Sequence, residues 1–126
     1  MVNDISFYEE LQSLSSDRIS FVLVTLVDLR GSAPQDIGAK ILVTKRGLHL
    51  GTVGGGKVEA QVIKTANEIL NAEDQNIKQL LTWNLQTDIG MTCGGEVSFY
   101  FEAYSTRQWT VVIFGAGHVA QALVPL

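Results

Sequence analysis

The sequence predicts an α/β fold of the mixed α+β kind, a sheet with helices packed on it, and three features predict it. Apolar runs rich in β-branched residues recur along the chain, as strands do. One long stretch, Lys57 to Asn71, carries an apolar stripe at helical spacing. The order of elements is helix, three strands, helix, two strands, then the start of a further strand–helix unit, which favours helices layered on a sheet.

Taken in order, Ser6-Phe7-Tyr8-Glu9 reads as a capping box opening a short helix, with Phe7, Leu11 and Leu14 on one face. Ile19 to Leu29 is almost continuously apolar, the pattern of a strand buried on both faces. Arg30 to Asp36 is a loop, marked by Gly31, Ser32 and Pro34. Ala39 to Thr44 and Leu48 to Val53 are two strands joined as a hairpin at Lys45-Arg46-Gly47. The helix from Lys57 turns Val58, Val62, Ala66, Ile69 and Leu70 to one side. Ile77 to Trp83 is a strand, Leu85 to Gly95 mostly loop, and Glu96 to Tyr104 a strand with Val97, Phe99 and Phe101 on one face. Ser105 to Gln108 is a polar linker, Trp109 to Phe114 a last strand, and a helix begins near His118.

With 126 residues, 46% hydrophobic and 17% charged, the chain is sized for one cored domain rather than a disordered segment. A net charge of −4 without a Lys/Arg run gives no footprint for nucleic acid. No apolar stretch reaches the roughly 18 residues of a membrane span, and Met1 to Glu10 has no signal-peptide pattern. A single cysteine forms no internal disulfide, which fits a cytoplasmic protein.

Three glycine clusters are the candidates for function. In the first, Gly51-Thr52-Val53-Gly54-Gly55-Gly56-Lys57-Val58-Glu59, a strand runs into a helix. Amide N–H groups at a helix start and the helix dipole favour anions. Lys57 is by itself misplaced in such a first turn, by roughly a few tenths of a kcal/mol at the surface, and a bound phosphate would reverse that sign. Glu59 suits the dipole and is a candidate acceptor for a ring N–H of a heterocyclic ligand. The alternative is a tight strand-to-helix turn with close packing. The spacing resembles a phosphate loop, but Val58 stands where the magnesium-binding hydroxyl belongs, so nucleotide hydrolysis is disfavoured.

The second cluster, Gly90-Met91-Thr92-Cys93-Gly94-Gly95-Glu96, holds the cysteine. Cys93 is a candidate nucleophile, sulfur carrier or soft-metal ligand; the alternative is a small buried hydrophobe. Zinc is disfavoured, because His49 and His118 lack ligand-like spacing to it. The third, Gly115-Ala116-Gly117-His118-Val119-Ala120 after an apolar run, has the G-x-G-x-x-A form of a dinucleotide fingerprint, cut before its second strand and acidic ribose ligand. The expectation is an N-terminal domain over residues 1–106 and the first strand and helix start of a truncated Rossmann-type domain over 107–126.

Arg30-Gly31-Ser32-Ala33-Pro34, Gly38-Ala39-Lys40 and the three clusters, taken in this order, resemble the XdhC/CoxI family, and the Gly-Met-Thr-Cys-Gly-Gly form is similar to its CoxI-like branch. The resemblance implies an accessory chaperone for molybdenum hydroxylases such as xanthine dehydrogenase. It would hold molybdenum cofactor (molybdopterin) as cargo, allow its sulfuration and deliver it to the apoenzyme, with a cysteine desulfurase as a further partner. It also implies a Rossmann-type C-terminal domain, with room for a nucleotide in the full-length protein. On this footing Gly54, Gly55, Gly56, Lys57 and Glu59 are the phosphate end of the site. Cys93, Gly94 and Gly95 face the metal and its sulfur, Ser32 donates to the pterin, and Gly115 and Gly117 belong to the dinucleotide motif. A homodimer is expected, through exchange or edge pairing of the terminal strand. The rival reading is a nicotinamide-dependent oxidoreductase using the C-terminal half, which rests on the third cluster alone.

Overall fold

The computed structural model describes residues 4–31, 36–73, 76–106, 112–115 and 117–123. Eight elements follow one another: α1 (Asp4–Ser16), β1 (Phe21–Arg30), β2 (Lys40–Thr44), β3 (Gly47–Gly51), α2 (Gly56–Asn71), β4 (Lys78–Asn84), β5 (Glu96–Tyr104) and α3 (His118–Leu123). The five strands form one sheet in the order β3-β2-β1-β5-β4, with every neighbouring pair antiparallel.

The alternation along β1 explains the layering. Val22, Val24 and Leu26 face α2, where Val62, Ala66, Ile69 and Leu70 meet them together with Ile41, Val43, Phe99 and Phe101. Phe21 and Leu23 face the other way, toward Phe7, Leu11 and Leu14 of α1 and Leu42 and Leu50 of the sheet. So β1 is covered on both sides over its first half, as a continuous apolar run predicts. Each large side chain taken out of water there contributes about 1.5–3 kcal/mol.

Helix α1 begins two residues before the expected Ser6, which places Asp4 in the first turn, where the dipole favours a carboxylate. It ends in a Schellman closure: Ile19 N–H bonds Leu14 O at 2.9 Å and Arg18 N–H bonds Ser15 O at 3.1 Å, with Arg18 at φ 56°. The β2–β3 hairpin turns through Lys45 and Arg46, with Thr44 opposite Gly47, as expected. Its ladder slips between Leu42 and Val43, which makes His49 the extra residue of a bulge.

The last expected strand, Trp109–Phe114, falls partly outside the described residues. Val112–Phe114 lie outside any strand and are exposed, Phe114 by 92%; Trp109–Val111 lie outside the described residues. A strand needs a partner for its backbone groups, and neither sheet edge, β3 or β4, pairs with Val112–Phe114. The helix expected near His118 is present as α3. No helix among the described residues is long and apolar enough to cross a membrane.

Candidate functional site

The antiparallel order gathers three loops at one end of the sheet: the segment leaving β1 at Arg30, the glycine loop between β3 and α2, and the loop from Leu85 to Gly95 that enters β5. The contact between the first and third is made backbone to backbone. A Cβ placed on Gly95, at φ 122°, would run into the carbonyl oxygen of Arg30; one on Gly31 would lie 3.1 Å from Gly94 O. Glycine is therefore what lets the cysteine loop lie against the end of β1.

The cysteine loop is closed on itself at Leu85, a buried residue. Leu85 N–H donates to Gly95 O and Met91 N–H donates to Leu85 O, both at 2.9 Å. Asn84 starts it as an Asx turn, its Oδ1 accepting from the amides of Gln86 and Thr87 at 3.0 Å. Thr92, Cys93 and Gly94 span the crest, and the Cys93 thiol is half-buried.

The glycine loop is closed by a carboxylate. Glu59 Oε1 accepts from the Thr52 hydroxyl at 2.8 Å and from Val53 N–H at 3.2 Å, while Thr52 Oγ1 accepts from Gly54 N–H at 3.2 Å. Gly55 is the N-cap of α2, at φ 69° and ψ −168°, and carries no side-chain cap. Glu59, expected to face a heterocyclic ligand, thus bonds the loop that precedes its own helix. Lys57 reaches the other way: its ammonium donates to Gly90 O at 3.0 Å, across 33 positions of sequence. The two glycine-rich loops are tied by this bond.

Between them is a cavity of about 170 Å³. It is lined by Gly54, Gly55, Gly56 and Lys57 from the glycine loop, by Leu85 and Met91 from the cysteine loop, and by the apolar Leu26, Leu29, Val53, Val58 and Val97. The site residues expected from the sequence fall into three groups. Gly54 to Lys57 line the cavity; Glu59, Gly94 and Gly95 build the loops around it; Cys93 is on the adjoining loop but not on the cavity wall. Ser32 lies outside the described residues. Gly115 and Gly117 belong to the C-terminal segment, are exposed, and have nothing within 4 Å of a Cβ built on either. Sequence reasoning missed the acceptor at Gly90 O, the Thr52 relay and Met91; the Thr52 to Glu59 spacing, a hydroxyl before a helix and an acid within its first turn, was the available signal.

A second cavity, of about 410 Å³, lies at the opposite end of the sheet on the α1 face, lined by Leu14, Ile19, Ser20, Thr44, Lys45, Arg46 and His49. His49 Nε2 is 2.6 Å from Glu10 Oε1, so the bulge residue of β3 ties the hairpin to α1. Among the described residues, no group of three or more His, Cys, Asp or Glu is placed to hold a metal ion.

The sequence pattern of the XdhC and CoxI family matches residues 14–83. Uncharacterized protein YqeB of Escherichia coli (strain K12) is 31% identical over 120 residues, 94% of this chain and 22% of that protein. Molybdenum cofactor insertion chaperone PaoD of the same organism is 38% identical over 90 residues, 69% of this chain and 27% of PaoD. A probable xanthine dehydrogenase subunit of Bacillus subtilis (strain 168) is 28% identical over 103 residues, 77% of this chain and 30% of that protein. A crystal structure of a xanthine dehydrogenase from Bacillus halodurans shares the fold, with a TM-score of 0.59 at 21% identity, over 75% of this chain and 29% of that one. The chain spans less than a third of the length of each of these relatives.

Proposed function

The chain belongs to the XdhC and CoxI family, and on that premise we propose that it is the part of an accessory chaperone that grips molybdenum cofactor as cargo, for sulfuration and insertion into a molybdenum hydroxylase such as xanthine dehydrogenase. The observation that carries this reading is the meeting of two glycine-rich loops across one cavity, with Lys57 between them. The names of two relatives, a molybdenum cofactor insertion chaperone and a probable xanthine dehydrogenase component, support the same cargo and client.

The residues fit that cargo in part. A cavity of about 170 Å³ is smaller than the roughly 300–1,000 Å³ of pockets that enclose a drug-sized ligand. It takes one end of the molecule and leaves the rest at the loop crests. The terminal phosphate suits the first turn of α2, where Gly54, Gly55 and Gly56 admit close approach and Lys57 supplies a cation. The cofactor brings a dithiolene-held metal, for which a thiol flanked by Gly94 and Gly95 is chemically suited. Ser32 is the proposed donor to the pterin. Gly115 and Gly117 are proposed for a nucleotide motif that the longer protein completes. A cysteine desulfurase as sulfur source and a homodimer complete the proposal.

The experiment is binding of isolated molybdenum cofactor to the purified protein and to its Cys93→Ala and Gly55→Asp variants. Asp at position 55 sets a negative charge against the phosphate, so weakened binding is expected there, and weaker retention of the sulfurated form with Cys93→Ala. Undiminished binding by both variants would remove these loops from the site. Turnover of a nicotinamide cofactor by the same preparation would favour the oxidoreductase reading instead.

A further inference from the structure

The larger cavity, of about 410 Å³, lies away from the two glycine-rich loops and has the size of a pocket that encloses a small ligand. Its lining side chains differ in what they have left to offer. Leu14 and Ile19 are apolar. Ser20 is spent: the Thr106 hydroxyl donates to Arg18 O at 2.6 Å, so the 3.3 Å contact of the two hydroxyls takes its proton from Ser20, whose oxygen also accepts from Thr106 N–H at 3.1 Å. His49 Nε2 is engaged by Glu10 at 2.6 Å. Three groups remain, and all are donors. The Thr44 hydroxyl accepts from Arg46 N–H at 3.3 Å but donates to no group among the described residues, although Thr44 is only 6% exposed. The Lys45 ammonium and the Arg46 guanidinium form no ion pair among the described residues.

We propose that this cavity is a second binding site, for a small organic anion: a phosphate or carboxylate head held by Lys45, Arg46 and the Thr44 hydroxyl, with an apolar body against Leu14 and Ile19. Such a head gives the buried Thr44 proton the acceptor it lacks and takes charge-assisted bonds from two adjacent residues. A neutral or cationic guest meets neither demand. The opposing charges do not line the cavity: Glu10 is tied to His49, and Asp17 follows the end of α1. The carbonyl end of α1 would repel an anion, but it is closed by amides, with Asp17 N–H on Ser13 O, Arg18 N–H on Ser15 O and Ile19 N–H on Leu14 O. The walls are held by the fold. Thr44 pairs with Phe21 of β1 and Gly47 of β3, His49 ties the hairpin to α1, and Thr106 fixes Ser20.

Amide chemical-shift titrations of the isotope-labelled protein show where a probe sits. The probes are phenyl phosphate and benzoate, with inorganic phosphate and benzyl alcohol as the two halves of the ligand taken singly. At least one organic anion should move the amides of Ser20, Thr44, Lys45 and Arg46 saturably, and the tighter of the two identifies the head group. Each half alone should bind at least severalfold more weakly. Lys45→Gln and Arg46→Gln, both on an exposed turn, should each weaken binding about two- to fivefold and together about tenfold. Lys64→Gln, on an exposed residue of α2, should leave it unchanged. In the wild type the affinity should fall as salt is added. No saturable shift with either anion, wild-type affinity in the double variant, or affinity independent of salt would each overturn the proposal. So would inorganic phosphate binding as tightly as phenyl phosphate, which would leave two solvated cations on a turn. The amides of Gly54, Gly55, Gly56 and Lys57 report the other cavity in the same spectra, so failure here and failure of the cofactor reading are told apart.

Discussion

Replacing Gly95 by alanine tests the backbone contact on which the loop cluster depends. Two costs are separable. Alanine at φ 122° is strained, by about 1–2 kcal/mol. Its Cβ would also collide with the Arg30 carbonyl oxygen, a backbone atom that moves only if the Arg30–Glu96 end of the β1–β5 pair opens. Loss of one ladder hydrogen bond with its local packing adds about 1–2 kcal/mol, for a total of about 2–4 kcal/mol. Gly55→Ala is the internal comparison: its φ is also positive, but nothing lies within 4 Å of its Cβ, so only the strain applies. Urea unfolding followed by tryptophan fluorescence reads both, since Trp83 packs on Phe99 with ring centroids 5.6 Å apart. With a slope of about 2 kcal/mol per molar urea, Gly95→Ala should lower the midpoint by about 1–2 M and clearly more than Gly55→Ala. Equal losses in the two variants would refute the close approach of the loops.

The Thr52–Glu59 clamp predicts that Thr52→Val and Glu59→Gln each lose about 0.5–1.5 kcal/mol and that the double variant loses less than the sum, because both act on one network; strictly additive losses in a urea double-mutant cycle would argue against it. Tyr104 should ionise above its ordinary value of 10.0, first because its hydroxyl donates to Glu102 at 2.8 Å and then because partial burial and the Glu102 charge disfavour a phenolate. The protonated phenol therefore favours the fold below about pH 10, and that contribution is lost as pH rises through the folded value. Glu102→Gln should bring the Tyr104 step of the tyrosinate absorbance curve, identified by its absence in Tyr104→Phe, down toward 10.0; an unmoved step would contradict the assigned cause.

Much of the fold was legible because it is local. Strict alternation of Val97, Phe99 and Phe101 gives the bounds of β5, and the apolar stripe of α2 differs from the expected one by the addition of Thr65, with Val58 only partly buried. What was not legible depends on distant partners. Nothing near Glu96 says that β5 pairs with β1, or that β4 is the far edge of the sheet. The bulge that turns His49 toward Glu10 is a property of the β2–β3 register and not of the residues alone. Val112–Phe114 reads as a strand by composition, but composition does not supply a neighbour to bond. In the site, the glycines announced the loops. The use of Glu59 did not show, because a side chain seven positions from Thr52 reaches it only once α2 has formed.

That use changes the electrostatics of the proposed site. A bare helix start would be a simple anion trap. Here one carboxylate already takes the Val53 amide and, through Thr52, closes on Gly54, while one ammonium, Lys57, stands in the same turn. The two charges offset one another, and the cavity is lined in large part by Leu26, Leu29, Val58 and Val97. Affinity in such a place cannot come chiefly from charge. It has to come from apolar contact with a flat or greasy part of the guest, with the anionic end choosing orientation. On the proposed reading, a fused-ring cargo with a single phosphate end meets both demands. A free phosphate meets only the second and should bind this end of the sheet weakly.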